Sequence, residues 1–169
     1  LTGNLGKESS GVNPLRGQNN VQGACDMGGL PNVFTAYQPV TSSAVAEKFA
    51  KAWGVEKLAQ NVGLTIPGML EGLEKETVKA LFVLGENPVV SDPDVHHVKK
   101  ALEKAELLIV QDIFLTATAE LADVVLPGVS FAEKDGTFSN TERRVSRVRQ
   151  AVAPVGESHQ DWQIIQDLS

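Results

Sequence analysis

The chain is 169 residues long, 42% hydrophobic and 5% aromatic, with a formal net charge of −6; that suffices for the core of one domain with trailing pieces of a neighbour. The acidic balance argues against nucleic acid as a partner, and no apolar run approaches the roughly 18 residues that a membrane-spanning helix needs. The lone cysteine, Cys25, excludes an internal disulfide framework and a CxxC metal site; it fits a reducing, cytoplasmic compartment, with a periplasmic one left open.

In chain order, Leu1-Thr2-Gly3 reads like the last turn of a helix, and no initiator Met or targeting pattern precedes it. The expectation is an internal piece of a longer chain. Residues 1–42 are rich in Gly, Asn, Gln and Pro without apolar periodicity, the mark of a long functional loop. Ser42 or Ser43 then caps a helix with Val45, Phe49, Ala50 and Trp53 on one stripe, ended by Gly54. A second short helix starts near Pro67 and carries Met69, Leu70 and Leu73.

From residue 79 the pattern changes. Ala80–Leu84 is a buried strand followed by Gly85-Glu86-Asn87-Pro88, and Asp92 or Asp94 caps a helix to about Ala105 with Val95, Val98 and Leu102 inward. Leu107–Val110 is a second buried strand, Thr116 caps a short helix through Leu121, and Val124–Leu126 is a third strand stopped by Pro127. Continuous apolar strands alternating with helices predict an α/β fold: a mostly parallel, three-layer, dinucleotide-binding-like domain over 43–130, behind the irregular Gly-rich segment. Residues 131–169 read as extended segments around an Asp135-Gly136 turn, then a helix at Asp161, belonging partly to a neighbouring domain.

Ligands of open parallel sheets collect beyond the carboxyl ends of the strands. Gly85, Glu86 and Asn87 sit there, as do Gln111 and Asp112; an Asp at that edge can accept paired hydrogen bonds from a guanine-like N–H/NH₂ edge. The same carboxylates would serve equally as strand ends and helix caps, and no GxGxxG run supports an ordinary nicotinamide site. The loop Arg16 to Gln22 places four side-chain amides and one guanidinium within seven positions between glycines. That donor set suits an anion, and also suits a polar surface loop. Arg143, Arg144, Arg147 and Arg149 alternate along a charged strand face open to solvent, to a neighbouring domain or to a phosphate. His96, His97 and His159 lack metal-ligand spacing, and Asp26, Glu133 and Asp135 form no acid–base pair.

Taken together, GVNPLRGQNNVQGACDMG (11–28), LFVLGENPVVSDPD (81–94), VQDIFLTATAELADVVLP (110–127) and FAEKDGTFSNTERRV (131–145) resemble the catalytic subunit of formate dehydrogenases in the molybdopterin oxidoreductase superfamily. The resemblance is weakest over 42–79. It implies a parent enzyme that interconverts formate and carbon dioxide, with Mo or W held by two pyranopterin guanine dinucleotides and a 4Fe–4S cluster nearby. Electron-transfer subunits or domains are its implied partners. Arg16 matches the family's substrate-orienting arginine. Gln18 and Gln22 lie in the same motif as pterin contacts or supports, while Gly85, Glu86, Asn87, Gln111 and Asp112 match loops lining one guanine dinucleotide, with Asp123 a further contact or a structural residue.

The cluster-binding cysteines, the metal-ligating Cys or selenocysteine with its adjacent His, and the domain closing over the cofactors have no counterpart in these residues. No metal ligand is therefore expected in the chain, which by itself is expected to be inactive, with residues 1–23 lacking their packing partners. Two alternatives remain open: a nitrate reductase or respiratory NADH dehydrogenase large subunit, and a stand-alone nucleotide-binding module.

Overall fold

In the computed structural model, which describes every residue except Leu1, Asn13, Pro14 and Arg16, α1 (Val21–Asp26), β1 (Val33–Phe34), β2 (Gln38–Pro39) and α2 (Ser43–Trp53) come first. They are followed by α3 (Ile66–Glu74), β3 (Ala80–Leu84), α4 (Pro88–Ser91), α5 (Val95–Leu102), β4 (Leu107–Asp112) and β5 (Val124–Pro127). β6 (Gly136–Ser139), β7 (Val145–Val148) and α6 (Asp161–Leu168) complete the order. The chain divides into two units, Leu1–Gly63 with Gly136–Arg147 and Leu64–Asp135 with Val148–Ser169. Divisions were expected after residues 42 and 130, and packing places them elsewhere.

Aromatic contact explains the first difference. Within the first unit the Phe34 ring lies 5.0 Å from Phe49 and 6.0 Å from Trp53, and Phe49 and Trp53 are 5.0 Å apart. Such tilted and edge-on pairs favour association beyond simple area burial, so α2 joins the preceding segment. The cap of α2 is as its sequence predicts: Ser42 Oγ accepts the Val45 N–H at 3.5 Å, and Gly54 ends the helix at φ +69°. The Gly-rich segment is also less irregular than expected. β1 and β2 pair antiparallel, Val33 opposite Pro39 and Phe34 opposite Gln38. Gly28 is required beside them: its φ is +96° and a Cβ there would meet the Thr35 nitrogen at 2.9 Å.

The second difference comes from a turn. Asp135-Gly136 does not reverse the chain; the reversal falls at 140–144, between β6 and β7, which form a two-stranded sheet. There Asn140 Oδ1 accepts the Arg144 N–H at 2.9 Å and the Asn140 N–H donates to the Arg144 carbonyl at 3.1 Å. An Asn that mimics a backbone turn with its own side chain outcompetes the Asp-Gly pair. The hairpin so formed belongs to the first unit.

The second unit is built on a parallel sheet in the order β3-β4-β5. Phe82 aligns with Ile109 and Val124, and Val83 with Val110 and Val125. Parallel register puts aligned residues on one face. Leu81, Val83, Leu108 and Val110 thus share a face, and they pack with Leu70 and Leu73 of α3 and Val98, Ala101 and Leu102 of α5. α5 is capped by Asp94, whose Oδ1 accepts the His97 N–H at 3.2 Å, but it stops at Leu102 and leaves Val95 exposed. The strands expected to be buried throughout are covered mainly on this face, and even there Val125 of β5 stays 41% exposed. On the other, Phe82, Leu84, Leu107 and Val124 stay exposed, between 39% and 43%. α6 lies against that face at its carboxyl end, with Ile164 buried and Leu126, Pro127 and Ile164 lining one small hollow.

Two short elements differ from the sequence reading. Pro88 starts the one-turn helix α4, and the helix expected from Thr116 is a single 3-10 turn, Ala119–Leu121, with Thr116 Oγ1 accepting the Ala119 N–H at 3.2 Å. Among the described residues no helix is long and apolar enough to cross a membrane. Leu73, 0% exposed, anchors α3 on the sheet. Leu73→Ala should cost about 3 kcal/mol of unfolding free energy, read as a lower urea midpoint at unchanged slope.

Candidate functional site

Two surfaces carry the predicted site residues, one in each unit. In the first unit Arg16 lies outside the described residues, so the loop is followed from Gly17. Residues 17–22 and the hairpin residues 138–141 with Ser146 line a cleft of about 520 Å³. Its walls supply amides and hydroxyls and no carboxylate, a donor-rich lining that suits a polar or anionic ligand. Gln18 lines the cleft. Gln22, 9% exposed, lines it too, but its Nε2 is committed inward, donating to Asp26 Oδ1 at 2.7 Å and to the Tyr37 hydroxyl at 3.3 Å. Those bonds brace α1 beneath the loop.

Asn20, which sequence reasoning grouped only as one amide among four, joins the two walls. It sits at φ +58°, ψ +19° just before α1, and its Oδ1 accepts the Ser139 N–H at 2.9 Å. Left-handed backbone is tolerated best by Gly, Asn and Asp, a local signal that was available. Its partner, 119 positions away, was not.

In the second unit the strand-end loops are held by side chains. Gly85 turns at φ +63° with open space where a Cβ would stand, and its N–H extends the ladder to the Gln111 carbonyl at 2.8 Å. Glu86 Oε1 accepts the Ser91 hydroxyl at 2.7 Å. Asn87 Oδ1 takes both the Thr118 N–H at 3.2 Å and the Thr118 hydroxyl at 2.7 Å, while Thr118 Oγ1 accepts the Val89 N–H at 3.2 Å. Asn87 therefore ties the loop after β3 to the turn after β4.

Asp112 Oδ1 is fixed by the N–H groups of Ile113 at 2.7 Å and Phe114 at 3.3 Å, which leaves Oδ2 as the outward acceptor. Beside it Ile113, Phe114 and Leu115 are exposed, Phe114 at 73%. Gln111 is buried, 1% exposed; its Nε2 donates to Asp161 Oδ1 at 2.7 Å, and Oε1 has no partner among the described residues. Asp161 also pairs with Lys134. From sequence Asp161 was read only as the start of the last helix, because the contact to Gln111 spans 50 positions. Asp123 lies at the opposite edge of the sheet, where its Oδ2 accepts the Leu108 N–H at 2.7 Å.

Glu133 closes a capping box with Ser130. The Ser130 N–H and then its hydroxyl hold the Glu133 carboxyl below its ordinary value of 4.5, with a smaller contribution from the Val155 N–H against weak desolvation. A depressed carboxyl contributes its stability above the unfolded value and loses it as pH falls through the lower folded one. His97 Nδ1 pairs with Glu74 Oε1 at 3.2 Å on the surface. No group of three or more His, Cys, Asp or Glu side chains is placed to hold a metal among the described residues.

The molybdopterin oxidoreductase family model matches residues 1–169. The chain belongs to that family. It is 61% identical over its whole length to the F420-dependent formate dehydrogenase 1 subunit alpha of Methanococcus maripaludis and 60% identical to the F420-dependent formate dehydrogenase subunit alpha of Methanocaldococcus jannaschii. To formate dehydrogenase H of Escherichia coli it is 49% identical. In each case it spans 24% of the relative's length. Among solved structures, acetylene hydratase from Pelobacter acetylenicus matches with a TM-score of 0.56 and 29% identity, over 76% of this chain and 19% of that one. Family membership implies a molybdopterin cofactor for the whole protein.

If the Asn87–Thr118 pair holds the strand-end loops together, Thr118→Val should strand the Val89 N–H. A loss of about 1–3 kcal/mol is expected, with faster amide exchange confined to 85–91 and 113–121 as the accompanying signature in hydrogen-exchange mass spectrometry.

Proposed function

We propose that this chain is part of the catalytic subunit of a molybdenum- or tungsten-dependent formate dehydrogenase. The observation that carries the reading is similarity to formate dehydrogenase alpha subunits across all 169 residues at about 60% identity. The reaction removes two electrons and one proton from formate and leaves carbon dioxide. When bound, the metal–pterin group supplies the acceptor for those electrons. This chain's residues supply positioning and charge.

Arg16 would hold formate's carboxylate in a two-pronged, charge-assisted pair, directing the C–H bond away from the guanidinium. Gln18 and Gln22 would support the pterin end of the cofactor, which fits a cleft walled by amides and hydroxyls. At the sheet edge the open backbone at Gly85 and the outward oxygen of the fixed Asp112 carboxylate fit a guanine dinucleotide's N–H/NH₂ edge. Glu86 and Asn87 would act there through the loop they brace, and Gln111 through Asp161. The dinucleotide form of the cofactor and a neighbouring 4Fe–4S cluster belong to the same proposal, with their remaining ligands, and the electron-transfer partners, outside these residues. By itself the chain would not turn over formate.

Arg16→Ala in the full-length enzyme should lower formate turnover at least about a hundredfold while pterin and metal content stay at wild-type levels. Equal loss of cofactor and activity would make the loop structural and contradict the assigned role.

A further inference from the structure

The 17–22 loop could be ordered by its own helix or by something across the cleft. Three observations favour the latter. Asn20 adopts left-handed backbone at the last residue before α1 and makes no capping bond to that helix. Its side-chain oxygen instead accepts the Ser139 N–H at 2.9 Å. Finally, the helix behind leaves room for it: a Cβ on Gly23 would fall 2.3 Å from Asn20 Oδ1. A glycine inside a helix costs stability, and here its lack of a side chain is what lets the Asn20 amide reach the hairpin.

We infer that Asn20 is a positioning residue for the substrate-binding loop: a clasp that fixes residues 17–22 against β6, with Gly23 as the space that admits it. This rests on the formate dehydrogenase reading for the identity of the substrate. The clasp itself rests on contacts within one unit. A loop that must present a guanidinium to a small anion loses affinity when it samples other conformations, because each binding event must first restore the productive one. Asn20 need not touch substrate to matter.

The test compares three variants of the full-length holoenzyme. Asn20→Gly keeps left-handed backbone at no steric cost and removes only the acceptor. Asn20→Asp keeps both the acceptor and tolerance of that backbone. Gly23→Ala leaves Asn20 intact but displaces its side chain, while improving helix propensity. Amide exchange over residues 17–22, formate KM and kcat, and pterin content are read for each.

For Asn20→Gly and Gly23→Ala the loop should exchange about tenfold faster and KM should rise about tenfold, with kcat and pterin content within about twofold of wild type. Asn20→Asp should restore exchange protection. Unchanged exchange in Asn20→Gly, or faster exchange at unchanged KM, would overturn the inference. So would pterin loss in proportion to activity, which marks a merely structural residue. Absence of formate turnover in the wild-type holoenzyme would instead overturn the formate reading, and the exchange results alone would then judge the clasp.

Discussion

Parallel strands are joined by long crossovers, so no tight turn fixes where the carboxyl ends of the β3-β4-β5 sheet stop. Side chains and stray backbone bonds do it. Asn87 binds Thr118 across 31 positions, and the N–H groups of Gly85 and Gly128 carry the ladder one step past the strands to the carbonyls of Gln111 and Asp112. Gln111 reaches on to Asp161, which also pairs with Lys134. Every loop that could meet a nucleotide is thereby held at one edge of the sheet. Residues that look like ligand contacts from their position in the chain are, in several cases, the framework that makes the contact surface rigid.

The first unit meets the same need by different means. It has no extended sheet; order comes from the Phe34–Phe49–Trp53 ring cluster, from Gln22 bound to Asp26 and Tyr37, and from Asn20 bound to the hairpin. The last of these holds the 17–22 loop against the hairpin. Cys25 is a buried part of that packing.

What could be read from sequence was what is local. Ser42 and Asp94 cap helices through bonds three residues long, and β3, β4 and β5 announce themselves as apolar runs that parallel register then pairs. The Asp135-Gly136 turn failed because Asn140 offers a better one a few residues on, and the extent of strand burial failed because an apolar run does not say which face is covered. The proposed site stands out in its residue types around Gly17–Gln22 and Asp112. Its supports do not: Asn20–Ser139, Asn87–Thr118 and Gln111–Asp161 join residues far apart in the chain, and no spacing rule predicts them. Family resemblance placed Gln111 and Asp123 among the residues lining the cofactor, Asp123 with a structural role as its alternative; Gln111 is buried against Asp161 and Asp123 holds the Leu108 N–H.

On the proposed reading a small α/β scaffold would carry a substrate-facing loop in one unit and a nucleotide-facing edge in the other, with the electron-accepting centre supplied outside these residues. The most direct test is to give the purified full-length protein isotopically labelled formate with an artificial electron acceptor and follow labelled carbon dioxide. Stoichiometric release, one carbon dioxide for each pair of electrons delivered, is the predicted result. Nitrate reduction driven by a reduced artificial donor, or acceptor reduction driven by NADH, with labelled formate left unconsumed, would contradict it.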